Sequence, residues 1–307
     1  MSFLEQLENI YAIDTNMFDM PKYMSAYIVK GKEIVLVDTG MPNQLEVVRA
    51  NIKATGVSIS DISYILITHE HGDHMGNVAP LLRESPNASV YATPTAAKEL
   101  INPPTDEHAI KIELYRPDHA LRRGVQEPVS PERIKYLKDG DVFDLGNGEK
   151  LRVIFAPGHK PGGVVFVEEN NRGMFINDLV GNYFADCGAH YTLNASGVNH
   201  IQGIETLKKL IDIPVKYLYL GHYGIVDKPR EVMERAIDNK QKMLDIGRKY
   251  VKEGKPELIA EKAFEFLLPQ LEKLKARSET VYTYATRDHV GRQVKIFAQW
   301  CQENLKN

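Results

Sequence analysis

Thr68-His69-Glu70-His71-Gly72-Asp73-His74 places His69, His71, Asp73 and His74, four candidate metal ligands, immediately after the short apolar run of residues 62–68. A helix would scatter such side chains around its circumference, whereas a tight loop at a strand end can turn them toward one point. Neutral imidazoles suit zinc, iron or manganese, and Asp73 adds a hard charged oxygen. A polar loop with solvent-exposed histidines is the plain alternative, and the downstream sequence bears on it.

Three further groups stand after strand-like runs. His159 follows Ala156-Pro157-Gly158, Asp178 follows Phe175-Ile176-Asn177, and His222 follows Tyr219-Leu220-Gly221. The glycines before both histidines permit unusual backbone angles or close approach of the chain. One Gly-His pair would mean little; three groups at strand ends, after a dense histidine cluster, describe a constellation.

Working outward, residues 23–38 read as two β-rich runs joined at Gly31-Lys32, a hairpin signal. Residues 44–55 have helical apolar spacing, 77–83 and 94–100 read as helical, and 89–93 as a strand. Residues 102–135 contain Pro103, Pro104, Pro117, Pro128 and Pro131 and read as an irregular insertion, either a substrate-facing loop or a solvated excursion. Strand signals return at 151–155, 164–167, 173–176 and 215–220, with a helix at 202–211. Beyond Lys228 the pattern turns helical, at 230–253, 256–267 and 290–305. The expected organisation is a catalytic domain over residues 1–227 and a helical cap or extension over 228–307.

The chain has 307 residues, with 38 Lys plus Arg against 41 Asp plus Glu, so no overall basic field exists to hold a nucleic-acid backbone. Cys187 and Cys301 are the two cysteines, too few for a disulfide framework, and are expected as free thiols. No apolar run reaches the roughly 20 residues that span a bilayer, and Met1-Ser2-Phe3-Leu4-Glu5 lacks the basic start of a signal peptide. A cytoplasmic protein acting on a small molecule, without nucleic acid or membrane, is expected. A homodimer through an apolar stripe on the C-terminal helices is a further expectation.

The order of these groups resembles the pattern of the metallo-β-lactamase superfamily: an early Asp, an H-x-H-x-D-H cluster, then a His, an Asp and a His. Asp38, in Leu36-Val37-Asp38-Thr39-Gly40, is similar to the early Asp that buttresses the site. The resemblance covers residues from about 8 to 226. It implies an α+β fold, a four-layer αββα sandwich with a C-terminal helical extension. It further implies that His69, His71 and His159 hold one metal, that Asp73, His74 and His222 hold a second, and that Asp178 bridges both. Two divalent ions follow, zinc first, with iron or manganese accommodated by the same ligands. The implied reaction is hydrolysis, by a metal-bridging hydroxide whose proton Asp73 accepts as the catalytic residue. His71 stands where the oxygen-reducing diiron branch carries Glu, which speaks against that redox role.

After His159, Lys160-Pro161-Gly162-Gly163 stands where lactonases and glyoxalase II enzymes present Thr-Pro-Gly-His, so neither assignment transfers. The layout also resembles the quinolone-signal response thioesterase branch of the superfamily, with its helical C-terminal extension. An ester or thioester of a small acyl compound is the expected substrate. A small phosphodiester, or a signalling role with secondary hydrolysis, is the alternative. Tyr223, His190 and His289 are the candidate substrate contacts; Tyr183, Tyr191, Asn194 and His200 offer further polar groups, each with the plain reading of a locally satisfied side chain.

Overall fold

A computed structural model describes residues 4–104, 124–192 and 194–305. The centre of the proline-rich insertion, with Pro117, lies outside the described residues. The chain divides into two compact units: Met1–Phe155, Gly162–Asn177 and Lys216–Ile225 form one, and Ala156–Pro161, Asp178–Val215 and Val226–Asn307 the other.

The first unit carries two sheets. Strands β1 (Leu4–Leu7), β2 (Ile10–Asp14), β3 (Ser25–Lys30), β4 (Ile34–Val37), β5 (Ile62–Leu66), β6 (Ser89–Ala92) and β7 (Ile134–Tyr136) lie in sequence order in one sheet. Pairing is antiparallel from β1 to β4 and parallel from β4 to β7. The parallel connections carry helices α1 (Leu45–Ala54), α2 (Gly72–Met75), α3 (Val78–Glu84) and α4 (Pro94–Ile101), as parallel crossovers require. Strands β8 (Val142–Gly146), β9 (Glu149–Phe155), β10 (Val164–Glu168), β11 (Gly173–Phe175), β14 (Tyr217–Leu220) and β15 (Gly224–Val226) form the second sheet, in the order β15-β14-β11-β10-β9-β8.

Successive strand side chains point to opposite faces, and that period sorts the cores. Ala26, Ile28 and Leu36 join Val48 and Ile52 of α1, Leu81 of α3 and Leu100 of α4 in one apolar cluster. Their neighbours Tyr27, Val29, Val35 and Val37 face the second sheet and meet Leu151, Val153, Phe166, Phe175 and Tyr219. Both faces of β3 and β4 are thus buried, which is why those strands read as near-continuous apolar runs. Rings tie the interlayer together, with Tyr27 5.2 Å from Phe175 and Phe175 4.5 Å from Tyr219 between centroids. Each such ring contributes about 1.5–3 kcal/mol by leaving water.

The second unit holds a hairpin of β12 (Asn182–Phe184) and β13 (Ala189–Tyr191) and the helices α5 (His200–Leu210), α6 (Pro229–Lys252), α7 (Ile259–Glu272), α8 (Leu274–Arg277), α9 (Glu279–Thr283) and α10 (Gly291–Asn304). Asn199 caps α5 by accepting the Gln202 amide at 3.1 Å, and Pro229 opens α6 where no amide is needed. Buried Val232, Met233, Ala236, Lys240, Met243, Leu244 and Gly247 mark one face of α6 at helical spacing.

Several elements differ from the sequence expectation. Strands β1, β2, β7, β8, β12, β13 and β15 are not among the strands expected; each is only three to five residues long and gives the period-2 signal little length to show itself. Residues 284–290 form a π-helical turn that runs straight into α10. The α7 helix extends to Glu272 with Pro269 inside it.

Candidate metal centre

In the first unit the strand ends bring five of the candidate ligands into one neighbourhood. His69 and His71 lie on the loop after β5, and Asp73 and His74 fall inside the single turn of α2 rather than in irregular chain. That turn is fastened by backbone and side chain. The Thr39 amide donates to His74 O at 2.7 Å, and Asn77 Nδ2 donates to Thr39 O and Met41 O at 2.8 and 2.7 Å. Gly76 is required there, because a Cβ would stand 2.4 Å from Pro42 Cδ and 2.8 Å from Gly40 O.

Asp38 organises the imidazoles. It takes the left-handed conformation, φ 58°, which Asp tolerates better than most residues. Its Oδ1 accepts the Thr68 amide at 2.9 Å, and its Oδ2 accepts both Thr68 Oγ1 at 2.8 Å and His74 Nδ1 at 2.7 Å. A carboxylate only accepts, so His74 carries its proton on Nδ1. Thr68 Oγ1, having donated, accepts from His69 Nδ1 at 3.0 Å, which fixes the same tautomer there. His222 Nδ1 lies 3.2 Å from the Tyr23 carbonyl oxygen and donates to it. Three histidines therefore turn an Nε2 lone pair away from their supporting bonds, as metal-binding histidines do.

The donor atoms converge within this unit. His69 Nε2 and His71 Nδ1 are 3.0 Å apart, and ligand atoms of Asp73, His74 and His222 all lie within 4.8 Å of one another. His69, His74 and His222 are buried, whereas His71 and Asp73 are partly exposed, so the solvent side of the cluster runs past those two. Glu70 points elsewhere, its Oε1 accepting the Gly162 amide at 3.2 Å. The turn carrying His222 is clamped by Tyr27, whose hydroxyl lies 2.6 Å from Leu220 O and 2.9 Å from Gly224 O. Burial raises the Tyr27 pKa well above its ordinary value.

The second unit presents His159 and Asp178, both buried, with Nε2 and Oδ2 3.5 Å apart. Gly158, before His159, has φ 135°, and a Cβ there would lie 2.4 Å from Gly203 Cα on α5. The Asn199 amide and the Thr206 hydroxyl hold the same segment, bonding Gly158 O and Pro157 O at 2.8 and 2.7 Å. Asn177, before Asp178, adopts φ 48° and donates its side-chain amide to Val164 O at 2.9 Å. Asn tolerates that left-handed conformation better than most residues.

Of the candidate substrate contacts, Tyr223 is buried beside His222 in the first unit. In the second, His190 donates Nε2–H to Val180 O at 2.8 Å, and burial lowers its pKa to about 4. His289 stacks on Tyr284, centroids 5.4 Å apart. Tyr183 lies under Arg235, and Tyr191 accepts the Asn182 amide at 2.9 Å. His200 Nε2 donates to Asn194 Oδ1 at 2.7 Å. Both residues line a cleft of about 200 Å³ together with Phe297 and Trp300.

Sequence reasoning assigned no role to Thr68 or Lys240. Thr68 could have been found as a hydroxyl next to a ligand histidine. Lys240 sits in the middle of α6 at 1% exposure, where burial lowers its pKa to about 8 and the Asp178 carboxylate opposes that shift; no local signal marks it.

Residues 22–222 match the family model of the metallo-β-lactamase superfamily. A β-lactamase-like protein 2 homolog from Caenorhabditis elegans is 27% identical over 217 residues, which is 69% of this chain and 59% of that protein. The metallo-β-lactamase fold-containing protein ST1585 from Sulfurisphaera tokodaii is 24% identical over 74% of this chain and 82% of its own length. Its crystal structure superposes with a TM-score of 0.63, covering 78% of this chain and 87% of that one. A flavo-diiron protein, FprA2 of Clostridium acetobutylicum, is 27% identical over 53% of this chain and 35% of its own length. The α+β sandwich expected from the sequence is the fold these likenesses share.

Proposed function

We propose, on the premise that this chain belongs to the metallo-β-lactamase superfamily, that it is a dimetal hydrolase of small-molecule esters or thioesters. The superfamily consists mostly of metal-dependent hydrolases, and the His and Asp groups of both units supply the donor chemistry for divalent ions. The carrying observation is the orientation of His69, His74 and His222, each with Nδ1–H spent on Thr68, Asp38 or Tyr23 and Nε2 directed outward.

In this reading His69, His71 and His159 hold one ion, Asp73, His74 and His222 the other, and Asp178 joins them. Zinc is the first candidate; imidazole and carboxylate ligands also accept iron and manganese. Two bound divalent ions supply Lewis acidity that lowers the pKa of water and polarises the oxygen under attack. The chain's own residues do the rest. Asp73 is one of the two partly exposed ligands, so its carboxylate stands on the substrate side and can accept the proton that attack releases. Thr68 and Asp38 keep the imidazoles neutral and oriented through the cycle. Tyr223, adjoining His222, is the first substrate contact proposed, and His190 and His289 are the further ones. His71, in place of the Glu of the diiron branch, favours hydrolysis over oxygen reduction.

The test is elemental analysis of the purified protein beside Asp178→Ala, with activity followed on a thioester, a lactone and a phosphodiester. About two metals per chain, reduced in the variant together with thioester turnover, support the reading. Turnover of the phosphodiester alone moves the assignment to a phosphodiesterase. Metal-free protein that no added ion activates overturns it.

A further inference from the structure

At the end of the first unit remote from Asp38, two carboxylates lie inside the sandwich with no cation beside them. Glu149 opens β9 and Glu168 closes β10, at 2% and 0% exposure. Glu168 pairs with Leu151 across the ladder, and Glu149 stands two residues before Leu151. The two carboxylates are therefore diagonal neighbours on the inward face, roughly 7–8 Å apart at the backbone. Among the described residues no Lys, Arg or His forms an ion pair with either.

Glu168 is well supplied: Oε1 accepts the Asn171 amide at 2.8 Å and Oε2 accepts the Tyr219 hydroxyl at 3.0 Å. Glu149 is less well supplied: neither oxygen has a partner in ordinary hydrogen-bond geometry, and among the described residues only the side-chain amides of Asn9 and Asn170 stand near enough to donate weakly. Burial pushes its pKa up, the side chains of Asn9 and Asn170 work against that, and the Glu168 carboxylate adds to it. Asn9 Oδ1 faces the same corner, 3.1 Å from Asn171 Nδ2, and Asn170 is exposed and gives access from solvent. Buried charges are paired or coordinate metal. One proton would cancel one of these two charges, whereas one divalent cation would cancel both.

We propose that Glu149 and Glu168 bind a hard divalent cation of the calcium class, with water completing the shell. The two anionic ligands are carboxylates with no imidazole or thiol beside them among the described residues, which suits Ca²⁺ or Mg²⁺ and disfavours the imidazole-seeking metals of the catalytic set. Ca²⁺ is the better fit, because it accepts irregular shells with bidentate carboxylates and Mg²⁺ demands a near-ideal octahedron. The ion would tie the start of β9 to the end of β10, at the end of the unit opposite Asp38. This inference is independent of the proposed hydrolase function.

The experiment uses zinc-loaded protein, so that the histidine set is already filled, and follows Tm against added CaCl2 or MgCl2. A rise of several degrees with Ca²⁺, smaller with Mg²⁺, absent from Glu149→Gln and retained in the exposed neighbour variant Glu169→Gln, is expected. Terbium(III) luminescence provides a second readout, since Tyr219 beside Glu168 would sensitise a bound lanthanide; Glu149→Gln should lose that emission, and Glu149→Asp should weaken binding at least tenfold. An unchanged wild-type Tm with no sensitised emission overturns the proposal and leaves a protonated carboxyl at Glu149. Equal Ca²⁺ shifts or equal emission in wild type and Glu149→Gln overturn it as well.

Discussion

His74 Nδ1 lies 2.7 Å from Asp38 Oδ2, and both side chains are almost wholly removed from solvent. The same oxygen accepts Thr68 Oγ1, which in turn accepts from His69. One carboxylate thereby sets the tautomer of two candidate ligands.

Asp38→Asn keeps a residue that tolerates the left-handed conformation but replaces one acceptor oxygen with a donor. The one remaining acceptor oxygen can serve the Thr68 amide or the Thr68 hydroxyl and His74, not all three, and the new NH2 then faces a donor, so the support of the imidazoles is weakened. Metal affinity should fall by about 10–100-fold, the usual effect of losing a residue that supports a ligand, with a smaller change in Tm. Competition with a chromogenic chelator measures it; affinity equal to wild type would remove Asp38 from this role.

The cluster from His69 to His74 was legible because the ligands are nearly contiguous, and strand-end placement made His159, Asp178 and His222 legible in turn. The hub role of Thr68 was not, because it depends on a hydroxyl standing between two side chains brought together by the β4–β5 pairing. The tail was read as an appendage on its helical pattern alone. In the structure its helices share a compact unit with residues 178–215, an association between segments distant in sequence that no local periodicity reports. Lys240 illustrates the same limit: its ammonium stem lies against Gly203, whose missing side chain leaves the room.

Gly158→Ala tests how tightly that part of the molecule is built. The new methyl would stand 2.4 Å from Gly203 Cα at a backbone angle, φ 135°, that side chains rarely take. Overpacking and backbone strain together should cost about 2–4 kcal/mol, read by urea unfolding, and should displace His159. Gly203→Ala meets nothing closer than 3.4 Å, the Lys240 Cε, and should cost less. Equal stability of both variants would contradict the packing described.

Lys240→Met keeps the stem and removes the charge that faces Asp178. In metal-free protein this removes the attraction between the ammonium and Asp178, so the substitution should be less favourable there than in metal-loaded protein. In metal-loaded protein the bound ions compensate Asp178, and the substitution should be neutral or stabilising. Thermal unfolding with and without chelator checks this difference; an identical effect in both states would refute it.

His190 predicts the pH dependence of the second unit. Its folded pKa of about 4 lies below the unfolded value of 6.5, so the unfolded chain binds the extra proton between those limits. Stability is then fully present above pH 6.5 and falls as the pH drops toward 4, by about 3 kcal/mol from this group. His190→Gln, which preserves a donor for Val180 O, should flatten that part of the profile in urea titrations from pH 7 to 4. A variant with the wild-type slope would assign the acid sensitivity to other groups.

Strand order has a consequence for how the chain is made. Sheet β1 to β7 comes from one continuous stretch, so it and its helices can assemble while synthesis continues. Its inner face is different: Tyr27, Val35 and Val37 await Phe166, Phe175 and finally Tyr219, and β14 does not leave the ribosome until more than two-thirds of the chain is translated. At about 5–20 residues per second, a half-finished sandwich displays an apolar surface for several seconds. Its protection in the cell falls to chaperones, and a ribosome stalled before Tyr217 would release a polypeptide prone to aggregate.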